Sequence, residues 1–247
     1  MKRSLPQCTA FSLHILAMTA MVLDHLWATL VPGNLWMTCA GRIAFPIFAF
    51  LLAEGFFRTR SLPKYLLRLL IFALISEIPF DLMMGGVPFY WVHQNVIWTF
   101  LIALLAMQAM DALRQRIRRP VLKVLALAGV TLLAALAGLL SFADYSAAGV
   151  LTVLVFYFFH GRKWYHFAGQ LICLYWLNNV LLMGMDLPFT LLGHTFFFPT
   201  QGFALLALIP IWLYRGAQGP HSKWIRYSFY AFYPAHMLLI AVIRFMT

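Results

Sequence analysis

A chain of 247 residues that is 63% hydrophobic and only 10% charged, with a mean hydropathy of +0.84, lies outside the composition of soluble globular domains. It reads as an all-α polytopic membrane protein, one domain over 1–247. Three scattered cysteines, Cys8, Cys39 and Cys173, exclude a disulfide framework or a CxxC metal site. The net charge of +11 suits a surface that meets lipid head groups or a phosphate-bearing cofactor, and nucleic acid is not an expected partner.

Nine apolar segments follow in chain order, roughly 11–31, 36–57, 64–84, 93–112, 121–141, 146–161, 164–184, 195–214 and 227–246. Each is a candidate transmembrane helix, giving about nine spans. The first follows Met1-Lys2-Arg3, lacks a small-residue cleavage site and is retained as a mature helix. Pro32-Gly33-Asn34, Leu62-Pro63, Gly85-Gly86-Val87-Pro88, Arg119-Pro120, Gly161 and the run from Gly216 to Pro220 supply the breaks. The stretch 186–200, from Leu187-Pro188 to Phe198-Pro199, reads as a re-entrant or interfacial piece.

The basic residues set the orientation. Lys2 and Arg3 precede helix one. Arg58, Arg60, Lys64 and Arg68 follow helix two, and Arg114, Arg116, Arg118, Arg119 and Lys123 follow helix four. Arg162 and Lys163 follow helix six, and Arg215, Lys223 and Arg226 follow helix eight. Sixteen of the eighteen Lys and Arg therefore share one side, which places the amino terminus in the cytoplasm of a cell whose inner membrane holds the chain.

Within the second segment, Gly41-Arg42-Ile43-Ala44-Phe45-Pro46 puts a guanidinium where hydrocarbon is expected, at a cost of roughly 2.5–3.5 kcal/mol on insertion scales. Arg42 needs a partner, and Asp24, Glu77 and Asp81 are the candidates. Pro46, four residues on, removes a helical hydrogen bond at the Arg42 carbonyl. At about 1.5 Å per residue, Asp24, His25, Arg42, Glu77, Asp81, His93, Gln94, Asn95, Asp144 and Tyr145 collect toward one depth on the outer side, with His236 near mid-helix nine. So many polar groups at one depth suggest a cavity rather than one structural staple.

His25 is the candidate general base, since an imidazole with a partner on one nitrogen can take a proton with the other near neutral pH. Asp24 lies about 100° around the same helix and is assigned to Arg42. His14, eleven residues earlier on nearly the same face, lines the same path. Glu77 and Asp81, four apart, share a helix face and serve either as charge partners of Arg42 or in acid–base work. Gln94 and Asn95 either bind a carbonyl, fix a histidine tautomer or cap helix four. His236 is either interhelical glue or part of the site. No phosphate loop, HExxH, GxSxG or dinucleotide fingerprint occurs. His93, His160, His166, His194 and His221 sit at unrelated depths, so no metal is expected.

Leu16-Ala17 through Met21-Val22-Leu23-Asp24-His25, then Gly41-Arg42-Ile43-Ala44-Phe45-Pro46-Ile47-Phe48-Ala49 and Tyr65-Leu66-Leu67-Arg68-Leu69, resemble the TraX family of membrane proteins. Gln94-Asn95-Val96, Asp144-Tyr145 with Gly149, and Phe232-Tyr233-Pro234 with His236 follow in matching order. The resemblance implies an integral-membrane acetyltransferase, related to membrane acyltransferases that use acetyl-CoA, with a helix-one histidine as the essential residue. That place is held here by His25, and His14 stands where those relatives carry Arg or Lys.

On this reading acetyl-CoA enters from the cytoplasm, its phosphates held by Arg58, Arg60, Lys64, Arg68, Arg114 and Arg116, with His14 on the cofactor path. His25 acts as base, Arg42 or Asn95 steadies the oxyanion, and Asp24 and Glu77 complete the catalytic set. The acceptor, a pilin-like peptide amine or a glycan, meets Asp81, His93, Gln94, Asp144, Tyr145 and His236. Arg42 is expected close to Asp24 or a helix-three carboxylate, with His25 facing a cavity open toward the outer leaflet and connected inward past His14. Two other classes remain: a transporter with an Arg/carboxylate site, and a structural membrane protein whose polar groups only join helices.

Overall fold

The computed structural model describes residues 8–191, 193–220 and 222–246; Lys2, Arg3 and His221 lie outside the described residues. Helix α1 (Ala10–Thr29) starts at a capping box in which Thr9 and Ser12 satisfy each other's backbone N–H. The second apolar segment is two helices, α2 (Leu35–Gly41) and α3 (Ala44–Arg58). They part at Arg42 and Ile43, where Pro46 has no N–H to offer the Arg42 carbonyl and its ring crowds that oxygen. Helix α4 (Leu62–Gly85) carries Pro63 in its first turn and stops at Gly86, whose φ of 70° an L side chain rarely adopts. Helix α5 (Val96–Arg116) is capped by Asn95, whose Oδ1 accepts from the Ile97 N–H at 3.0 Å. Helices α6 (Pro120–Leu140), α7 (Ser146–Phe158) and α8 (Trp164–Trp176) follow.

The last third departs from the expected helices. The segment 164–184 is α-helical only to Trp176, then widens into a π-turn over Leu177–Leu182, with the Asn178 amide donating to the Leu174 carbonyl at 2.8 Å. The stretch 186–200 is an antiparallel hairpin, β1 (Asp186–Leu191) with β2 (His194–Pro199), in which Phe189 faces Phe196. The helix expected over 195–214 therefore begins only after Pro199, as a 3-10 turn over Thr200–Ala207 leading into α9 (Leu208–Leu213). Thr195 and three phenylalanines pack as well in a strand as in a helix, and an apolar run that short does not separate the two. Helix α10 (Lys223–Met246) closes the chain.

Among the described residues, five stretches are long and apolar enough to cross a bilayer: Ala10–Thr29, Leu35–Arg58 taken through its break, Val96–Arg116, Pro120–Leu140 and Lys223–Met246. Helix α4 has the length but bears Lys64, Arg68, Glu77 and Asp81, and α7 and α8 are short. The molecule is a helical membrane protein, with α3 near its centre. Ile47 and Ala49 of α3, Leu104 and Met107 of α5 and Val150 and Val153 of α7 are fully enclosed. Helix α6 is peripheral, with Leu132, Leu133 and Leu140 exposed where lipid would lie.

The helix ends meet in two groups. At one, Ala10 and Phe11 donate to the carbonyls of Ala217 and Gln218, at 2.8 and 3.1 Å. There too Arg58 donates to Gly216 and Arg162 to Tyr214. At the other, across the loops before α5 and α7, Gln94 donates its backbone N–H to the Phe142 carbonyl and accepts from the Asp144 N–H, and Arg244 donates to the Met83 carbonyl. The first end gathers Arg58, Arg68, Arg162, Arg215, Lys223 and Arg226.

Candidate functional site

Arg42 finds Asp24 through a bridge. Its Nη2 lies 3.3 Å from Asp24 Oδ1 and donates to Thr38 Oγ1 at 2.6 Å, and Thr38 in turn donates to the same Asp24 oxygen at 2.8 Å. Both charged side chains are about four-fifths enclosed, where an unpartnered charge would be costly. Gly41 makes this approach fit, because a Cβ there would overlap Asp24 Cβ and stand 2.9 Å from its Cγ. Phe45, one turn beyond the break, stacks on Tyr145 with ring centres 4.0 Å apart, and Tyr145 lies within electrostatic reach of Arg42. The Gly-Arg-x-Ala-Phe-Pro string is thus a joint, with Gly41 and Arg42 fitted to Asp24 of α1 and Phe45 to Tyr145 at the start of α7.

His25 meets His236 of α10. Its Nδ1 is 2.8 Å from His236 Nε2, and the rings stack with centres 5.0 Å apart. His236 Nδ1 lies 2.9 Å from the Phe232 carbonyl. A carbonyl only accepts, so with both rings neutral His236 Nδ1 carries the proton and its Nε2 is bare; His25 Nδ1 is then the donor, and His25 Nε2 is left unprotonated. Asp24, assigned to Arg42, takes no part.

A cavity of about 600 Å³ lies between α1, α3, α4, α5 and α10, within the ordinary range of ligand pockets. At the basic end it is lined by Arg58, Arg68, Lys223 and Arg226; it passes His14, Met18, Phe229 and Tyr230 and ends against Met21, Val96, Ile97, Phe232 and Tyr233. His14 donates to the Ala10 carbonyl at 2.7 Å and stacks on Phe229. Residues 14, 18, 21 and 25 form one face of α1, and 229, 232/233 and 236 one face of α10. These two faces lead from the cations to the histidine pair.

Several expectations are corrected. His25 does not line this cavity, which stops one turn short at Met21; its ring is stacked on His236 instead. The cavity lies toward the basic end rather than the outer leaflet. Of the residues assigned to phosphates, Arg58 and Arg68 line it, as does His14, expected on the cofactor path; Arg60, Lys64, Arg114 and Arg116 do not, and Arg114 instead covers the Tyr157 ring at 4.7 Å. Lys223 and Arg226 were outside the assigned set. Their signal was available, two cations three apart opening a helix whose next turns carry Phe229 and Tyr230.

Glu77 is not the partner of Arg42. Its Oε2 accepts from the Trp98 indole at 2.7 Å and from the Asn95 amide, which also donates to the Ala73 carbonyl at 2.9 Å. Asn95 is fully buried with both amide hydrogens committed, so it has none for an oxyanion. Asp81 accepts from the Tyr90 N–H at 2.8 Å. His93 Nε2 and Asp144 Oδ1 stand 3.4 Å apart in the loops, and this bond, opposed by partial burial, raises the His93 pKa above its ordinary 6.5. Gln94 acts through its backbone, paired to Phe142 and Asp144.

The TraX protein family model matches residues 11–244. The probable fimbrial assembly protein FimC, serogroup H1, of Dichelobacter nodosus is 30% identical over 244 residues, covering 94% of each chain. No solved structure matches. The match runs from α1 through α10 and takes in Asp24, His25, Arg42 and His236 together: this chain belongs to the TraX family.

Proposed function

We propose that the protein is an acetyltransferase of the inner membrane, its amino terminus cytoplasmic, moving an acetyl group from cytoplasmic acetyl-CoA to an amine or hydroxyl acceptor. The fimbrial relative makes a pilin-like subunit the acceptor to test first. The observation that carries the reading is the histidine pair one helical turn beyond the inner end of a cavity with cations at its mouth, with the tautomer of His25 set by His236 and the Phe232 carbonyl. A cavity with guanidinium and ammonium groups at one end and apolar and aromatic walls at the other suits a donor with phosphates on one end and a thioester on the other. Arg58, Arg68, Lys223 and Arg226 would hold the phosphates; the donor supplies an activated acyl carbon.

His25 Nε2 takes the acceptor's proton as the acceptor nitrogen or oxygen bonds to the thioester carbon. Collapse of the tetrahedral adduct breaks the carbon–sulfur bond, and the proton passes from His25 to the departing thiolate. Arg42 Nε, enclosed and without an acceptor among the described residues, is the donor available to the oxyanion, while the Asp24–Thr38–Arg42 bridge positions α1. Either turnover requires Met21, Phe232 or Tyr233 to shift, or the thioester to reach past them.

Purified protein given radiolabelled acetyl-CoA and a pilin amino-terminal peptide tests this. His25→Ala should lower acetylation about 10²-fold or more. His236→Ala should lower it less, with His236→Gln, whose amide oxygen can accept from His25 Nδ1, restoring part. Acetylation unchanged in His25→Ala removes His25 from the mechanism.

A further inference from the structure

A second cavity, of about 210 Å³, lies beside the first. The two share Glu54, Arg58 and Tyr214 as a common edge. Its other walls bring Arg162 and Arg215 together with His160, Gln170 and Trp212. Glu54 is the one carboxylate lining it, set against three guanidiniums, so the space keeps a net positive charge even with His160 neutral.

The cations are held in place. Arg58 Nε pairs with Glu54 at 2.6 Å while its Nη1 donates to the Gly216 carbonyl at 2.9 Å. Arg162 donates to the carbonyls of Tyr214 and Trp212 at 2.6 and 3.2 Å, using two of its five N–H groups. His160 Nε2 lies 3.0 Å from the second Glu54 oxygen. Arg215 makes no hydrogen bond or ion pair among the described residues and sits at the rim. Guanidiniums fixed by carbonyls, with donors to spare and a net positive field, are built for a phosphoryl group.

Position decides which phosphoryl group. Eleven helical residues separate Met21 from Ala10, about 16 Å along α1, so a thioester near Met21 puts the far end of a pantetheine-length arm among Arg58, Arg68, Lys223 and Arg226. The linear diphosphate belongs there. The small cavity is off that line, behind the Glu54–Tyr214 edge, and admits only a branch. We infer that this annex binds the terminal phosphomonoester of the donor nucleotide, the 3′-phosphate of coenzyme A, through Arg162 and Arg215 with Arg58 at the edge. The inference rests on the acetyl-CoA reading and names which part of that ligand the annex selects.

Binding of coenzyme A and of 3′-dephospho-coenzyme A to the detergent-solubilised full chain, by calorimetry, tests it. Wild type should bind the dephospho form about 10-fold or more weakly. Arg215→Gln should weaken coenzyme A by a similar factor and leave the dephospho form unchanged. Arg215 holds no backbone group, so this variant keeps the test open if Arg162→Gln, which frees two carbonyls, fails to fold. Equal wild-type affinity for both ligands overturns the annex and leaves the acetyl-CoA reading standing. No affinity for either overturns both.

Discussion

At the residue scale, the site shows how a neighbour's hydrogen bond can decide chemistry that residue type leaves open. His25 alone has two equivalent tautomers; the Phe232 carbonyl, acting through His236, leaves one. The loop pair His93–Asp144 carries a pH signature instead. Its bond raises the folded-state pKa of His93 above 6.5, so its contribution to stability is complete below pH 6.5 and is lost as pH rises through the raised value. With each side chain about a third exposed, the effect is small and screened. Thermal melts across pH 6 to 9 should show wild type losing stability relative to His93→Gln as pH rises; parallel curves would remove the bond's contribution. From the residues alone His93 was legible as a polar group near Asp144, but its bond was not, since loop contacts have no period.

Elements meet here through small residues and broken helices. Gly41→Ala would force a methyl into Asp24 Cβ, between two helix backbones that cannot yield separately. The expected cost is about 1–3 kcal/mol, seen as a lower melting temperature in detergent, and an unchanged temperature would mean that α2 does not bear on α1 there. The break at Arg42 was readable from Pro46, because proline acts on the backbone wherever it falls. The sequence narrows the partner of Arg42 to Asp24 or a helix-three carboxylate, with Asp24 favoured, and Asp24 is what it meets; the Thr38 bridge between them was not readable, because it depends on how α1 and α2 pack. Hairpin β1–β2 was hidden for another reason: hydropathy reports burial, and a Phe-rich strand and a Phe-rich helix score alike.

Across the whole molecule, the separation of charge was the most legible feature. Three of the basic loops come together, around residues 58, 160–162 and 212–218, against the start of α1. What hydropathy could not supply was which cations line a shared space, because the stretch 214–219 folds back over the start of α1. Cysteine placed at Arg119 should react with an impermeant maleimide only in inverted membrane vesicles, and cysteine at Trp91 only in spheroplasts. The opposite pattern would reverse the direction proposed for acetyl transfer.

The two histidines stand 211 positions apart in the chain, one on the first helix and one on the last. A ribosome working at 5–20 residues per second emits the second roughly 10–40 s after the first. Until then α1 lacks the partner that fixes His25, the carbonyls of Ala217 and Gln218 that receive its first N–H groups, and much of the wall around the cavity. A nascent or prematurely terminated chain therefore holds neither the histidine pair nor the closed cavity, and both form only once the last helix joins the first.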